Sequence, residues 1–371
     1  MRTTTRRRWL LACLAALLIP LAAFGSSACG SPAKAEASTT AQQTVASPPV
    51  TLDVTGTLLL VRRQDAAWKL VRLTPATGAE QMIGALPFRP WWALAAPGGK
   101  RVLYWNGGRG RAVVDAATGS VQRVSLAGLP IRSIDGATWT SENRFLFGGS
   151  RRTYPSPQFS SLYRADVRTG KVTSFRRLPG GEPSYAADEG SLIYVTRRRV
   201  GDTAKEAIWR LRSLTARRPV LLTGDSAYID AGRSFNTPLL SPDGAYVLSA
   251  QTGTDISVTY SLINVAAHGM TMWQLNGASP MTAAWGGAQV AFQQSLPSSP
   301  GGKLALFVYD AGVCSLSPHP TMFFGPLDWS NDGDLVGGSW DDGGVVYAAS
   351  ASDLETWVNL GAGLVPVWVH T

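Results

Sequence analysis

The stretch Thr237–Leu248, reading Thr-Pro-Leu-Leu-Ser-Pro-Asp-Gly-Ala-Tyr-Val-Leu, restricts what this chain can become more than any other, because weaker copies of it recur along most of the sequence. An apolar strand end, a Ser-Pro-Asp-Gly turn and an alternating strand make one β-hairpin. Aligned by the residue four places before the turn glycine, the copies are Ala95 (with Gly99), Ala186 (Gly190), Leu240 (Gly244) and Trp329 (Gly333). Trp139 with Asn143, Trp285 with a shortened Gly286-Gly287 turn, and Trp368 complete the set. The gaps between these anchors are 44, 47, 54, 45, 44 and 39 residues. Self-similarity at such a period with strand-like alternation is what a ring of four-stranded blades produces.

Each turn leads into an apolar strand: Arg101-Val-Leu-Tyr-Trp, Arg144-Phe-Leu-Phe, Leu192-Ile-Tyr-Val and Tyr246-Val-Leu. The outer half of a blade is visible as Val113-Val-Asp115 to Gly119-Ser-Val121 and as Leu162-Tyr-Arg-Ala-Asp166 to Gly170-Lys-Val172. An Asp that bonds the backbone two residues on, followed by a glycine free to take positive φ, suits a short hairpin loop. Thr74-Pro-Ala-Thr77-Gly78 is a third copy, with only Thr57–Arg63 before it as a strand. The chain ends on Leu364-Val-Pro366-Val-Trp368-Val, an inner strand with nothing after it. The expectation is an all-β fold, a β-propeller of seven four-stranded blades, closed by pairing the C-terminal strand with Thr57–Val61. Counts of six or eight remain open, since Thr51–Val54 can also serve as an innermost strand.

Pro-x-Trp-Ser-Pro-Asp-Gly followed by an apolar strand resembles the WD40-like repeat of TolB-type propellers, over about Thr51–Thr371. Ser241-Pro242-Asp243-Gly244 and Trp329-Ser330-Asn331-Asp332-Gly333 are good copies, while Ala96-Pro97-Gly98-Gly99 and Asp188-Glu189-Gly190 are degenerate. The resemblance implies a periplasmic or surface propeller that binds partner proteins, and it implies no reaction.

The N-terminus supplies an address. Arg2, Arg6, Arg7 and Arg8 precede the apolar run Leu10–Phe24, followed by Gly25-Ser-Ser-Ala-Cys29. This is the layout of a signal peptide over residues 1–28, and the run of 15 apolar residues falls short of the roughly 20 that span a bilayer. Arg6-Arg7 resembles a twin-arginine signal, so the export route stays open. Small residues before Cys29 resemble the lipobox of bacterial lipoproteins, although Ser26 stands where leucine is usual. That resemblance implies lipidation of Cys29, whereas ordinary cleavage near Ala28 would leave a free thiol. Residues 29–50, rich in Ser, Thr, Ala, Gln and Pro, read as a disordered tether, and 51–371 as the propeller. Among three cysteines, Cys13 leaves with the signal and Cys314 has no partner, so no internal disulfide is expected.

Catalytic motifs are sparse. His268, His319 and His370 are isolated from one another, and neither a Gly-x-Ser-x-Gly elbow nor His-Glu-x-x-His occurs. Ser339-x-Asp341-x-Gly343 resembles half of a sialidase Asp-box, a turn motif. Asn331, Asp332, Asp334, Asp341 and Asp342 offer oxygen ligands for a cation, but solvated loops account for them as well. Trp139, Trp285, Trp329 and Trp368 read as wedges between blades; Trp91, Trp92, Trp340 and Trp357 suit either core packing or an aromatic platform for sugar. No cofactor or metal is expected.

Charge is distributed in a way the fold does not require. Residues 29–139 balance to +6, residues 140–220 to +9 and residues 221–371 to −10. Arginine outnumbers lysine 28 to 6, which fits a GC-rich genome rather than nucleic-acid binding. In a ring built in chain order, the basic blades anchored on Trp139 and Ala186 lie across from the acidic blades anchored on Trp285 and Trp329. Arg151-Arg152, Arg176-Arg177, Arg197-Arg198-Arg199 and Arg217-Arg218 mark the basic side on neighbouring blade loops. They are either independent solvated loops or a patch for an anionic partner. The reading is a monomeric, non-enzymatic lipoprotein on the outer face of the cytoplasmic membrane, presenting a propeller face to an envelope protein or anionic cell-surface component. A propeller hydrolase of glycan or lactone, or a lipoprotein that captures a small ligand or wall fragment, are the alternatives. Metabolic labelling with a fatty-acid analogue should mark the native chain and not a Cys29→Ala form, which should be released into the medium; equal label in both would contradict the anchor.

Overall fold

The structure, a computed structural model, describes residues 54, 56–150, 159–176, 178, 181–186, 190–200, 203–222, 226–228, 238–252, 258–266, 269–275, 280–286, 289–295, 304–310, 313–317, 327–330, 332–338, 344–350 and 353–369. All of them lie in the unit Ser47–Thr371. Every regular element among them is a strand.

The first three strands are β1 (Thr57–Gln64), β2 (Ala67–Thr74) and β3 (Ala79–Leu86). Blade 1 follows as β4 (Trp92–Ala95), β5 (Arg101–Trp105), β6 (Arg111–Asp115) and β7 (Val121–Arg123). Blade 2 is β8 (Ser133–Ser141), β9 (Arg144–Ser150), β10 (Phe159–Asp166) and β11 (Lys171–Ser174). Blade 3 is β12 (Gly181–Ala186), β13 (Ser191–Val200), β14 (Thr203–Leu211) and β15 (Val220–Leu221), with β16 (Ser226–Tyr228) as an extra strand on β14. Blade 4 is β17 (Leu239–Leu240), β18 (Tyr246–Thr252), β19 (Val258–Asn264) and β20 (Gly269–Leu275). Blade 5 is β21 (Pro280–Gly286), β22 (Gln289–Ser295), β23 (Leu304–Asp310) and β24 (Val313–Ser317). Blade 6 is β25 (Leu327–Trp329), β26 (Leu335–Gly338), β27 (Val345–Ser350) and β28 (Asp353–Ala362). The last strand, β29 (Leu364–Val369), pairs with β1, so blade 7 reads β29-β1-β2-β3.

Seven antiparallel sheets therefore arise from seven anchors. The closure register is Thr57↔Val369, Leu58↔Trp368, Leu59↔Val367 and Val61↔Leu364, with a bulge between Leu59 and Val61. Contacts between innermost strands run β29 to β4 to β8 to β12 to β17 to β21 to β25 and back to β29, which closes the ring. The fold is a β-propeller.

The anchors show how neighbouring blades are tied. The Trp139 indole donates to the Leu94 carbonyl at 2.9 Å, that of Trp285 to Leu239 at 3.1 Å and that of Trp329 to Ala284 at 3.0 Å. Each acceptor sits one residue before the anchor of the preceding blade. Bonds also run forward. The Tyr185 N–H donates to Thr138 Oγ1 (3.1 Å), the Leu240 N–H to Ser184 Oγ (2.9 Å) and the Trp368 N–H to Asp328 Oδ2 (2.8 Å). An inner strand has no sheet neighbour on its channel edge, so these side chains fasten its backbone to the adjacent blade.

The turns repeat the chemistry that the sequence suggested. Ala96, Ser241 and Ser330 each donate an N–H back across the turn, to Arg101, Tyr246 and Asp334, and the glycines Gly99, Gly244 and Gly333 bond three residues back. In blade 4, Ser241 Oγ donates to Asp243 Oδ1 and accepts from the Tyr246 N–H. Gly119 has φ 71°, and a Cβ there would collide with the Ile83 carbonyl of blade 7. No other residue fits that close approach.

Strand direction alternates, so the hairpin turns within the inner and outer strand pairs share one side of the ring, termed the turn side. The links between second and third strands, and those from blade to blade, share the other, termed the connection side. β1 begins and β29 ends on the turn side.

The core lies in slabs between blades rather than in one centre. Leu59, Val61, Val102, Tyr104, Val114 and Val367 pack between blades 7 and 1, and Leu103, Trp139, Phe145, Phe147 and Tyr163 between blades 1 and 2. Phe147 stacks on Tyr163 with centroids 5.5 Å apart. Leu58, Leu60, Val336, Val346 and Trp368 fill the slab between blades 6 and 7, and Val54, ahead of β1, joins it. The Tyr104 hydroxyl is fully buried with no hydrogen-bond partner among the described residues, and burial pushes its ionisation far above the usual phenol range.

The sequence expectation for one arginine set needs correction. Arg197, Arg198 and Arg199 do not lie on a loop but in β13, opposite Glu206, Lys205 and Ala204 of β14. The reason is the length of this hairpin, whose ladder continues to Val200↔Thr203.

Removing Leu364–Thr371 takes away a strand whose Leu364, Val365, Val367, Trp368 and Val369 are all buried. At roughly 1.5–3 kcal/mol per large buried side chain, the loss rivals the whole stability of a typical domain, about 5–15 kcal/mol. The truncated chain should show no cooperative melting transition; a melt at the native temperature would contradict the closure.

Candidate functional site

Perturbed carboxylates are the usual first sign of a site. Asp328 on β25 is one. Its pKa is pushed up to about 7 by burial, against which the N–H groups of Trp368 and Trp329 pull it down. The residue as a whole keeps some exposed surface, but its carboxylate is enclosed and committed to the closing strand. Its chemistry is that of a tie between blades 6 and 7, not of a free acid or base.

On the turn side of blade 2, Ser141, Asn143, Arg144, Asp166, Arg168 and Thr169 border a cleft of about 490 Å³. Arg144 Nε meets Asp166 Oδ2 at 3.0 Å. That bond, with those from Thr169, outweighs desolvation and holds the Asp166 carboxyl below its ordinary range, the side chain being partly covered. Asp115 occupies the same position in blade 1, where its Oδ1 accepts from the N–H groups of Ala117 and Thr118 and the Thr118 hydroxyl. Burial raises its pKa, but these bonds and the Arg101 charge outweigh burial and lower it overall. Both carboxylates are turn elements. Glu142 likewise serves a turn, accepting the Gly98 N–H at 2.8 Å.

The predicted arginines fall into separate places. Arg176 lies over the Phe175 ring at 5.7 Å, and its guanidinium donates to the Ala216 carbonyl, which brings it beside the exposed pair Arg217 and Arg218 on the rim between blades 2 and 3. Arg197, Arg198 and Arg199 stand at the connection-side end of β13. Arg151, Arg152 and Arg177 lie outside the described residues, as do Cys29, the three histidines, Trp340, Asn331, Asp341 and Asp342. Asp334 is buried and its Oδ2 accepts from Ser330 Oγ at 3.3 Å, within its own turn. Among the described residues no group of three or more His, Cys, Asp or Glu could hold a metal.

A second basic region, on the connection side where blades 7 and 1 meet, was not singled out by charge runs, because its arginines are far apart in sequence. Arg63 and Arg89 lie over the Trp68 ring at 5.7 and 5.8 Å. Burial, and then the charge of Arg109, lower the pKa of Arg111. Trp91 is 39% exposed, Trp92 stacks on Trp105 at 5.9 Å and Trp91 meets Trp92 edge-on at 5.6 Å. Trp357, by contrast, packs half-buried on the core of blades 5 and 6. The sequence signals were the Trp91-Trp92 doublet and the loop Asn106-Gly-Gly-Arg-Gly110.

No protein-family model matches the chain. No curated protein sequence matches it either. Solved structures do resemble it. A functionally unknown protein from Desulfotomaculum acetoxidans is 12% identical with a TM-score of 0.54, over 85% of this chain and 99% of that one. An oligogalacturonate lyase in complex with manganese is 14% identical with a TM-score of 0.51, over 83% and 86%. TolB from Acinetobacter baumannii is 14% identical with a TM-score of 0.49, over 84% and 82%. At such identities the likeness concerns the fold.

A raised carboxylate pKa means that the folded state holds the proton more tightly than the unfolded chain. The contribution of Asp328 to stability is thus fully present below the ordinary carboxylate range and is lost as pH rises through about 7. Asp328→Asn keeps an oxygen for the Trp368 N–H and has no charge to bury. Above pH 7 the variant should be more stable than the native protein, by roughly 4 kcal/mol at most, and its melting temperature should change less between pH 5 and pH 8. Parallel profiles would contradict the assignment.

Proposed function

We propose that this propeller is a non-enzymatic binding protein of the cell envelope, held at the outer face of the cytoplasmic membrane through lipidated Cys29, and that its basic arc engages an anionic partner protein or envelope component. The observation that carries this reading is the division of charge around a closed ring. Residues 140–220, with a balance of +9, make up most of blades 2 and 3, whereas residues 221–371, with −10, hold the outer edge of blade 3, blades 4 to 6 and β29. A ring in chain order separates these arcs, giving the molecule a positive and a negative flank. The β13–β14 hairpin supports the reading further, since β13 has 10 residues where the equivalent β5 has 5, and three successive arginines occupy its far end.

Guanidinium groups hold carboxylates and phosphates through paired hydrogen bonds. Each exposed contact contributes little, roughly 0–1 kcal/mol, so the affinity must come from several acting together. Such an association weakens with salt, because the Debye length falls from about 10 Å at 0.1 M to 3 Å at 1 M.

Replacing Arg197, Arg198 and Arg199 with Thr, which keeps strand propensity, removes three charges from β13. Retention on phosphatidylglycerol vesicles and on anionic wall polymer should fall severalfold at 0.1 M salt, and should be weak for both proteins at 1 M. Binding that is unchanged by the substitutions and flat in salt would overturn the proposal.

A further inference from the structure

Trp91 is unusual among the large apolar side chains, being one of four that stand exposed among the described residues. The others, Met82, Val220 and Leu221, belong to the outermost strands β3 and β15. Trp91 instead immediately precedes the innermost strand β4, which places it at the mouth of the central channel on the connection side.

Its surroundings hold it rigidly. The Trp91 N–H donates to the Trp105 carbonyl at 2.9 Å. Trp92 meets it edge-on and is itself stacked on Trp105. The neighbouring β5–β6 loop is tied by Asn106, whose Oδ1 accepts from the N–H groups of Gly108 and Gly110, both at 3.0 Å, and whose Nδ2 donates to the Arg89 carbonyl at 3.2 Å. A Cβ on Gly110 would collide with the Phe88 ring, so loop and blade connection are packed against each other. Arg109 projects from this loop and is exposed. Arg111 lies at the loop's base with Nε on the Val124 carbonyl at 2.9 Å and a terminal nitrogen on that of Arg132 at 3.4 Å, which fixes exposed Arg132 beside it. Against these cations stands Asp65, exposed in the β1–β2 turn.

We propose that this rim is a binding site for an acidic saccharide, with the Trp91 indole stacking on the C–H face of a pyranose ring and Arg109, on the loop packed against the Trp91 connection, holding the carboxylate of a uronic acid. An indole left 39% exposed at a cost in water is matched by a ligand with a flat, weakly polar face. An exposed guanidinium on the adjoining loop selects a carboxylate-bearing ring over a neutral one. With Trp91 39% exposed, the platform suits a residue of a polymer lying across the rim better than a small metabolite, which needs most of its surface buried. This site is separate from the arginines of β13 and of the blade 2–3 rim, and it does not depend on them.

The test is calorimetric titration of the full chain with a trigalacturonate, beside a neutral trisaccharide, at 0.05 and 0.5 M salt. The acidic trisaccharide should bind at least tenfold tighter than the neutral one at low salt. Trp91→Ala should weaken it tenfold or more while the chain still melts in one cooperative transition. Arg109→Ser should weaken it severalfold and reduce its salt dependence, and the form with Thr at positions 197, 198 and 199 should bind it normally. An absence of binding by the native chain, or equal binding by Trp91→Ala, would overturn the proposal. Loss of binding in the form altered at 197–199 would do so too, because the saccharide would then belong to the other arginines.

Discussion

The antiparallel pairing of Leu364–Val369 with Thr57–Gln64 is the constraint on which everything else rests. A ring of sheets gains its stability from slabs of apolar side chains between neighbours, and each slab needs both of its walls. Opening one interface removes a wall from two blades and exposes a sheet edge. Here the closing strand also supplies the backbone N–H of Trp368 to Asp328, so the seam is sealed twice: once by the ladder to β1, and once by a side chain from blade 6.

The seam is also where the repeat is least regular. Elsewhere the anchor indole reaches back to a carbonyl of the preceding inner strand, as with Trp139, Trp285 and Trp329. The Trp368 indole N–H is buried with no partner among the described residues. Where blade 2 offers the hydroxyl of Thr138 to the next backbone N–H, blade 6 offers a carboxylate. The local rule is bent at the interface that cannot form until β29 has been made.

The ring was legible in the sequence because its signal is redundant. Seven anchors at similar spacing, with Asp115 and Asp166 in equivalent turns, over-determine the strand order, and every anchor lies on an inner strand. The surfaces were less legible for a physical reason. Charge runs such as Arg197–Arg199 are easy to see, but the strand register decides where they go, and the ladder of β13 with β14 extends further than the blade pattern implies. The rim around Trp91 is the opposite case. Arg63, Arg89, Arg109 and Arg132 are scattered over some seventy positions, and only the alternation of strand direction brings the connections that carry them to one side of the ring.

Because Thr57 and Val369 are partners in the ladder, the two ends of the folded chain are neighbours in space. The ring therefore has no structural beginning. Its order of blades is a cycle, and the break between β29 and β1 is a property of how the polypeptide is read rather than of how the object is built. A short bridge from Val369 to Thr57 would turn the seam into an ordinary hairpin, and new ends could then be opened at a turn such as Pro97-Gly98-Gly99 with the same seven interfaces kept. What the native break adds is a dependence: β1 must wait, unpaired on its inner side, for β29.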